Sequence, residues 1–146
     1  KEGLRLLRAA GVAKVNFAGG EPFIPRKGKV LGELVICAKE TGFESVSLIT
    51  NGSRVTEQWM QQYSPFLDIM GVSCDSFNPE TNIRIGRIGG TESHADKVYQ
   101  IANWCKEYKV LFKVNTVVNQ LNKLEDMNEH INKLNPARWK VFQCLE

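Results

Sequence analysis

The chain has 146 residues, 42% of them hydrophobic and 24% charged, with 19 Lys and Arg against 16 Asp and Glu for a formal charge of +3. Such a composition fits one globular domain or part of one, and so small and dispersed a charge gives no argument for a nucleic-acid surface, so no nucleic-acid partner is expected. No stretch approaches the roughly 18 consecutive apolar residues of a membrane span, and no signal-peptide pattern precedes the first helical stretch.

In chain order, Leu4, Leu6, Leu7 and Ala10 on a charged background predict the end of a helix stopped by Gly11. Ala13 to Ala18 alternates with period two and breaks at Gly19-Gly20, which predicts a strand. The same unit then recurs. Val30 to Thr41 carries Leu31, Leu34, Val35 and Ala38 at helical spacing, and Ser45 to Thr50 is a β-rich run ending at Asn51-Gly52. Thr56 to Tyr63 predicts a short helix and Leu67 to Ser73 an apolar strand. Ser93 to Tyr108 predicts a longer helix, with Val98, Ile101, Ala102 and Cys105 on one face, leading to a strand over Val110 to Val117. Leu124 to Leu134 predicts a last helix, broken by Asn135-Pro136, before a strand over Trp139 to Cys144.

Strand alternating with helix, the strands nearly continuous in apolar residues, predicts an α/β fold with a parallel sheet covered by helices. Periodicity leaves an open doubly wound sheet and a complete or partial barrel equally available. In either, ligands bind at the C-terminal ends of the strands. There stand Gly19-Gly20-Glu21, Asn51-Gly52-Ser53, Ser73-Cys74-Asp75 and, late in the fourth strand, Asn115-Thr116.

Cys37, Cys74, Cys105 and Cys144 show no metal-ligand spacing and are expected to be buried free thiols. His94 and His130 are expected at the surface. Trp59, Trp104 and Trp139 are expected in the core or at its rim, and Asp75 in a structural turn. The cations Lys14, Lys113, Arg138 and Lys140 lie on or beside strands, where a charge is costly unless a partner neutralises it. Alternation puts Lys113 and Asn115 on one face of their strand, and Arg138 and Lys140 on one face of theirs. Solvent-facing or salt-bridged residues and a polyphosphate cradle both satisfy that pattern.

Gly19-Gly20-Glu21-Pro22 lets a backbone approach a ligand closely, although a plain strand-to-helix turn has the same composition. Asn16–Phe23, Thr50–Ser53 and Ser73–Phe77 together, in that order and spacing, resemble the radical S-adenosylmethionine (SAM) superfamily. Ile85–Arg87, Phe112–Asn115 and Asn135–Leu145 resemble its viperin-like, nucleotide-modifying branch. The resemblance covers essentially the whole chain. It implies a partial (β/α) barrel of radical SAM type, with parallel strands, helices outside and both ends incomplete. Residues 1–146 would then be the central part of a single radical SAM core domain.

The resemblance further implies that Gly19, Gly20, Glu21, Ser73 and Arg87 contact S-adenosylmethionine, and that Lys14, Lys113, Asn115, Arg138 and Lys140 bind CTP. The implied reaction converts CTP to the antiviral chain terminator 3′-deoxy-3′,4′-didehydro-CTP. A 4Fe–4S cluster, its CxxxCxxC ligands expected upstream of Lys1, and an external electron donor belong to the same expectation. So does a C-terminal segment closing over the nucleotide. Opening without Met and ending inside a strand pattern, the chain is expected to be a fragment, inactive by itself. The family's placement on the cytosolic face of the endoplasmic reticulum and on lipid droplets runs through an N-terminal helix outside this chain. Another nucleoside triphosphate as substrate, a non-catalytic partner-binding scaffold and an iron-free phosphate-binding enzyme are the alternatives.

Overall fold

The structure, a computed structural model, describes residues 1–87 and 93–144. Along it run α1 (Glu2–Ala9), β1 (Lys14–Phe17), α2 (Lys29–Thr41), β2 (Ser45–Thr50), α3 (Glu57–Tyr63) and β3 (Ile69–Ser73). Then follow α4 (Pro79–Arg84), α5 (His94–Glu107), β4 (Leu111–Val118), α6 (Asn128–Leu134) and β5 (Arg138–Gln143). Residue 145, which closes the last resemblance motif, lies outside the described residues, as does residue 146.

The five strands form one sheet in the order β1-β2-β3-β4-β5, every neighbouring pair parallel. That order separates the two architectures the sequence left open. A doubly wound sheet reverses its strand order at a switch point. An unreversed order of right-handed crossovers puts every helix on the same side of the sheet, as in a barrel wall. With β1 and β5 unpaired to each other, the wall is a partial barrel.

One face of the wall carries the core. Val46 and Leu48 of β2, Met70 and Val72 of β3, and Phe112 and Val114 of β4 are buried against α2, α3, α5 and α6. From the helices come Leu31, Val35, Ala38, Trp59, Met60, Val98, Ile101, Cys105, Ile131 and Leu134. Burying each of the large side chains contributes on the order of 1.5–3 kcal/mol. The alternation of β2, half-buried then buried along Ser45–Thr50, is the period-two pattern that leaves the other face open.

Two elements differ from the sequence expectation. Helix α4 was missed, yet its signal is local: the Asn78 side chain accepts from the Glu80 and Thr81 amides, Pro79 occupies the first turn and Glu80 supplies an acid there. Helix α6 starts at Asn128 rather than at Leu124, because Leu124 is 93% exposed and has no surface to cover. The residues before it form a turn instead, in which the Asn122 amide group donates to the carbonyls of Asp75 and Val117.

Candidate functional site

The open face of the sheet gathers the polar residues. In parallel pairing, registered residues point the same way. Lys14 pairs with Ser45, Asn16 with Ser47, Gly71 with Lys113, Ser73 with Asn115, Lys113 with Arg138 and Asn115 with Lys140. Ser45, Ser47, Ile49, Ile69, Gly71 and Ser73 continue the same parity across β2 and β3. Lys14, Lys113, Asn115, Arg138 and Lys140 therefore stand on one surface. Between them lies Gly71, where a Cβ would strike the Ile49 side chain 2.5 Å away. Lack of a side chain keeps the floor flat there.

No hydrogen bond or ion pair neutralises Lys14, Lys113, Arg138 or Lys140 among the described residues. Burial pushes the Lys113 ammonium below its ordinary value, and the charges of Arg138, Lys140 and Lys14 push it the same way. Three cations that lower a fourth, with no ion-paired acid among the described residues, make a surface that lacks anions.

At the C-terminal end of β1, Gly19 and Gly20 have φ of +96° and +53°, and a Cβ built on either meets nothing within 4 Å. The loop is thus bare backbone open to the crevice. Glu21 turns back into the protein. Its Oε1 accepts from the Thr50 hydroxyl at 2.6 Å and from the Phe23 amide at 3.2 Å, and its Oε2 accepts from the Asn51 amide at 2.7 Å. Three of about four acceptor positions are filled. Glu21 clamps the β1 loop to the end of β2 and keeps one acceptor position.

At the end of β3 the Ser73 hydroxyl has no partner among the described residues, while its carbonyl meets His94 Nε2 at 3.1 Å. The turn beyond is tightly held. Asp75, 7% exposed, takes Arg87 Nε at 3.0 Å and Nη2 at 2.7 Å on Oδ2, and the Val117 amide at 2.8 Å on Oδ1. Ser76 Oγ and the Phe77 amide donate to Glu125, and Asn82 donates to the Ser76 carbonyl.

Several expectations are corrected here. Asp75 does lie in a structural turn, but it also has a charged partner that sequence did not reveal. His94 is not a surface residue: it is half-buried on the Ser73 carbonyl, and burial, then the charge of Arg87, hold its ring below the ordinary value. His130 stacks on Phe77 at 4.2 Å between ring centres and bonds the Tyr99 hydroxyl at 2.8 Å. Of the cysteines only Cys74 and Cys105 are buried; Cys37 is half-buried and Cys144 exposed, because β5 has no neighbour on its outer side among the described residues. No three His, Cys, Asp or Glu side chains gather at metal-binding distance among the described residues.

The sequence model of the Radical SAM superfamily matches residues 1–134. The S-adenosylmethionine-dependent nucleotide dehydratase RSAD2 of Danio rerio is 56% identical over 146 residues, covering 99% of this chain and 41% of that protein. The S-adenosylmethionine-dependent nucleotide dehydratase of Lacinutrix mariniflava is 37% identical, covering 99% of this chain and 30% of that protein. The chain thus spans less than half the length of these relatives. Among solved structures, AdoMet-bound anSMEcpe superposes with a TM-score of 0.72 at 22% identity, covering 98% of this chain and 39% of that one, a likeness of fold.

Proposed function

This chain belongs to the radical SAM superfamily, and on that premise we propose that the protein carrying it dehydrates CTP to 3′-deoxy-3′,4′-didehydro-CTP. The carrying observation is that four cations without counter-ions share the open sheet face with a bare Gly19-Gly20 loop at the strand ends.

The residues present suit both groups. Amide and carbonyl groups of Gly19 and Gly20, the remaining acceptor position of Glu21 and the free Ser73 hydroxyl suit the amino acid and ribose parts of S-adenosylmethionine. Arg87 supplies a planar fork for a carboxylate. When bound beside a reduced 4Fe–4S cluster, S-adenosylmethionine supplies radical hydrogen-atom abstraction. The cluster's ligands are not among the described residues.

What this chain contributes is placement. Lys14, Lys113, Arg138 and Lys140 supply the charge that neutralises a triphosphate, and Arg138 adds a two-pronged grip. Asn115, two residues beyond Lys113 on the same face and registered with Lys140, is set to hold the sugar or base once the phosphates are seated. Orientation of the ribose relative to the Gly19-Gly20 loop follows from anchoring both ends. An external donor supplies the electron. We assign the protein, by resemblance, to the cytosolic face of the endoplasmic reticulum and to lipid droplets through a segment outside this chain.

The test is an anaerobic assay of the full-length protein with reconstituted cluster, reductant, S-adenosylmethionine and CTP, UTP, GTP or ATP in turn, read by mass spectrometry. Release of 5′-deoxyadenosine with a CTP product lighter by one water is expected. Product from a different nucleotide would move the substrate, and no deoxyadenosine under any condition would overturn the reading.

A further inference from the structure

We propose that Asp75 is a positioning residue for the cofactor site, acting through Arg87. The proposal rests on the reading that Arg87 meets S-adenosylmethionine, and it says why this arginine is able to.

Two devices deliver Arg87. The first is the end of α4, where Gly86 has φ +80° and the Gly86 and Arg87 amides donate back to the carbonyls of Ile83 and Asn82. That pair of bonds is a glycine-terminated helix end, which reverses the chain and carries Arg87 back toward β3. The second is Asp75. Its Oδ2 takes Nε and Nη2, the lateral edge of the guanidinium, while its Oδ1 is tied to the Val117 amide in β4. Asp75 is anchored to the sheet, so the arginine is anchored with it.

The geometry divides the donors of Arg87. Of five N–H groups, the two on Asp75 leave both hydrogens of Nη1 and one of Nη2, the terminal edge, which is the edge that grips a carboxylate with two parallel bonds. The Arg87 side chain is 24% exposed and that of Asp75 only 9%, so the arginine is the more accessible member of the pair. The Arg87 charge also reaches His94, whose Nε2 lies on the Ser73 carbonyl. Ser73, Arg87 and His94 thus share one electrostatic environment with Asp75 behind it. A long, flexible side chain loses rotamer freedom when it binds a ligand; holding it beforehand removes that cost from the binding step. Asp75 contacts no ligand in this scheme.

The test uses the full-length protein and measures S-adenosylmethionine affinity by titration calorimetry, with near-ultraviolet circular dichroism as the check on folding. Asp75→Asn keeps the shape and an oxygen for the Val117 amide, but sets an amide donor against the Arg87 donors. It is expected to weaken binding by about 10- to 100-fold, the worth of one or two charge-assisted hydrogen bonds. Arg87→Ala is expected to weaken it at least as much, and Asp75→Asn added to Arg87→Ala to change nothing more. Asp75→Glu, which retains the charge on a longer arm, is expected to fall between wild type and Asp75→Asn and serves should the asparagine variant not fold. An additive double variant, or an Asp75→Asn variant with wild-type affinity, overturns the inference while leaving Arg87 a cofactor ligand. An Arg87→Ala variant with wild-type affinity overturns the assignment of Arg87 itself.

Discussion

Lys113 illustrates how a single side chain is held at a cost to the fold. Its ammonium is disfavoured first by burial and then by Arg138, Lys140 and Lys14, so its folded value lies below the ordinary lysine value of 10.5. The sign follows from proton binding. Below the folded value lysine is charged in both states and the penalty is fully present, whereas above 10.5 it is neutral in both and the penalty is gone. Lys113→Met is therefore expected to raise the thermal unfolding midpoint of the chain at pH 7, the gain shrinking as the pH approaches 11. In the full-length protein the same variant should bind CTP at least about tenfold more weakly, the loss of a charge-assisted bond to phosphate. Unfolding scans at several pH values and nucleotide titration read both effects. A drop in stability at pH 7 would mean that Lys113 has a partner, against the uncompensated face described above.

Among the elements, α2 and α3 meet closely. A Cβ added at Gly32 of α2 would overlap the ring of Tyr63 in α3, and Gly32 is buried. Alanine normally stabilises a helix interior by up to about 1 kcal/mol over glycine. Here overpacking, about 1–3 kcal/mol, is expected to win, because the Tyr63 ring is buried and packed against Trp59 at 5.2 Å. Gly32→Ala should lower the urea midpoint. An unchanged or raised midpoint would show that the two helices separate freely. Sequence reading located α2, which runs from Lys29 to Thr41, to within a residue because its apolar stripe is strong. It gave no hint that a mid-helix glycine marks the crossing with a ring 31 residues away, since nothing local encodes a partner at that distance.

For the molecule as a whole, the thiols report the layering. Burial pushes Cys74 and Cys105 up to about 12, Asp75 adding to the effect at Cys74. At pH 8 only roughly one part in ten thousand of either is the reactive thiolate. Cys144 is exposed and Cys37 half-buried. A disulfide-exchange reagent added to the folded chain is expected to modify Cys144 first and Cys37 more slowly, with Cys74 and Cys105 reacting only on addition of denaturant. Rapid reaction of all four would show that the sheet does not retain its helix layer.

What the residues determined unaided was order and kind: which segments are strand or helix, and which motifs stand at strand ends. Period-two and 3.6-residue patterns carry that information locally, and the Gly19–Pro22, Thr50–Ser53 and Ser73–Phe77 motifs carry the family. Alternation also placed Lys113 with Asn115, and Arg138 with Lys140, within their own strands. Only the tertiary structure decided that Lys14 and these two pairs share a single face, because register between strands is set by packing of the opposite, apolar face. It alone turned Glu21 inward to Thr50, 29 residues on, and joined Asp75 both to Arg87 and to Val117, 42 residues on. Partners for buried charges are chosen by how the chain closes on itself, and that choice is written in no local stretch of sequence.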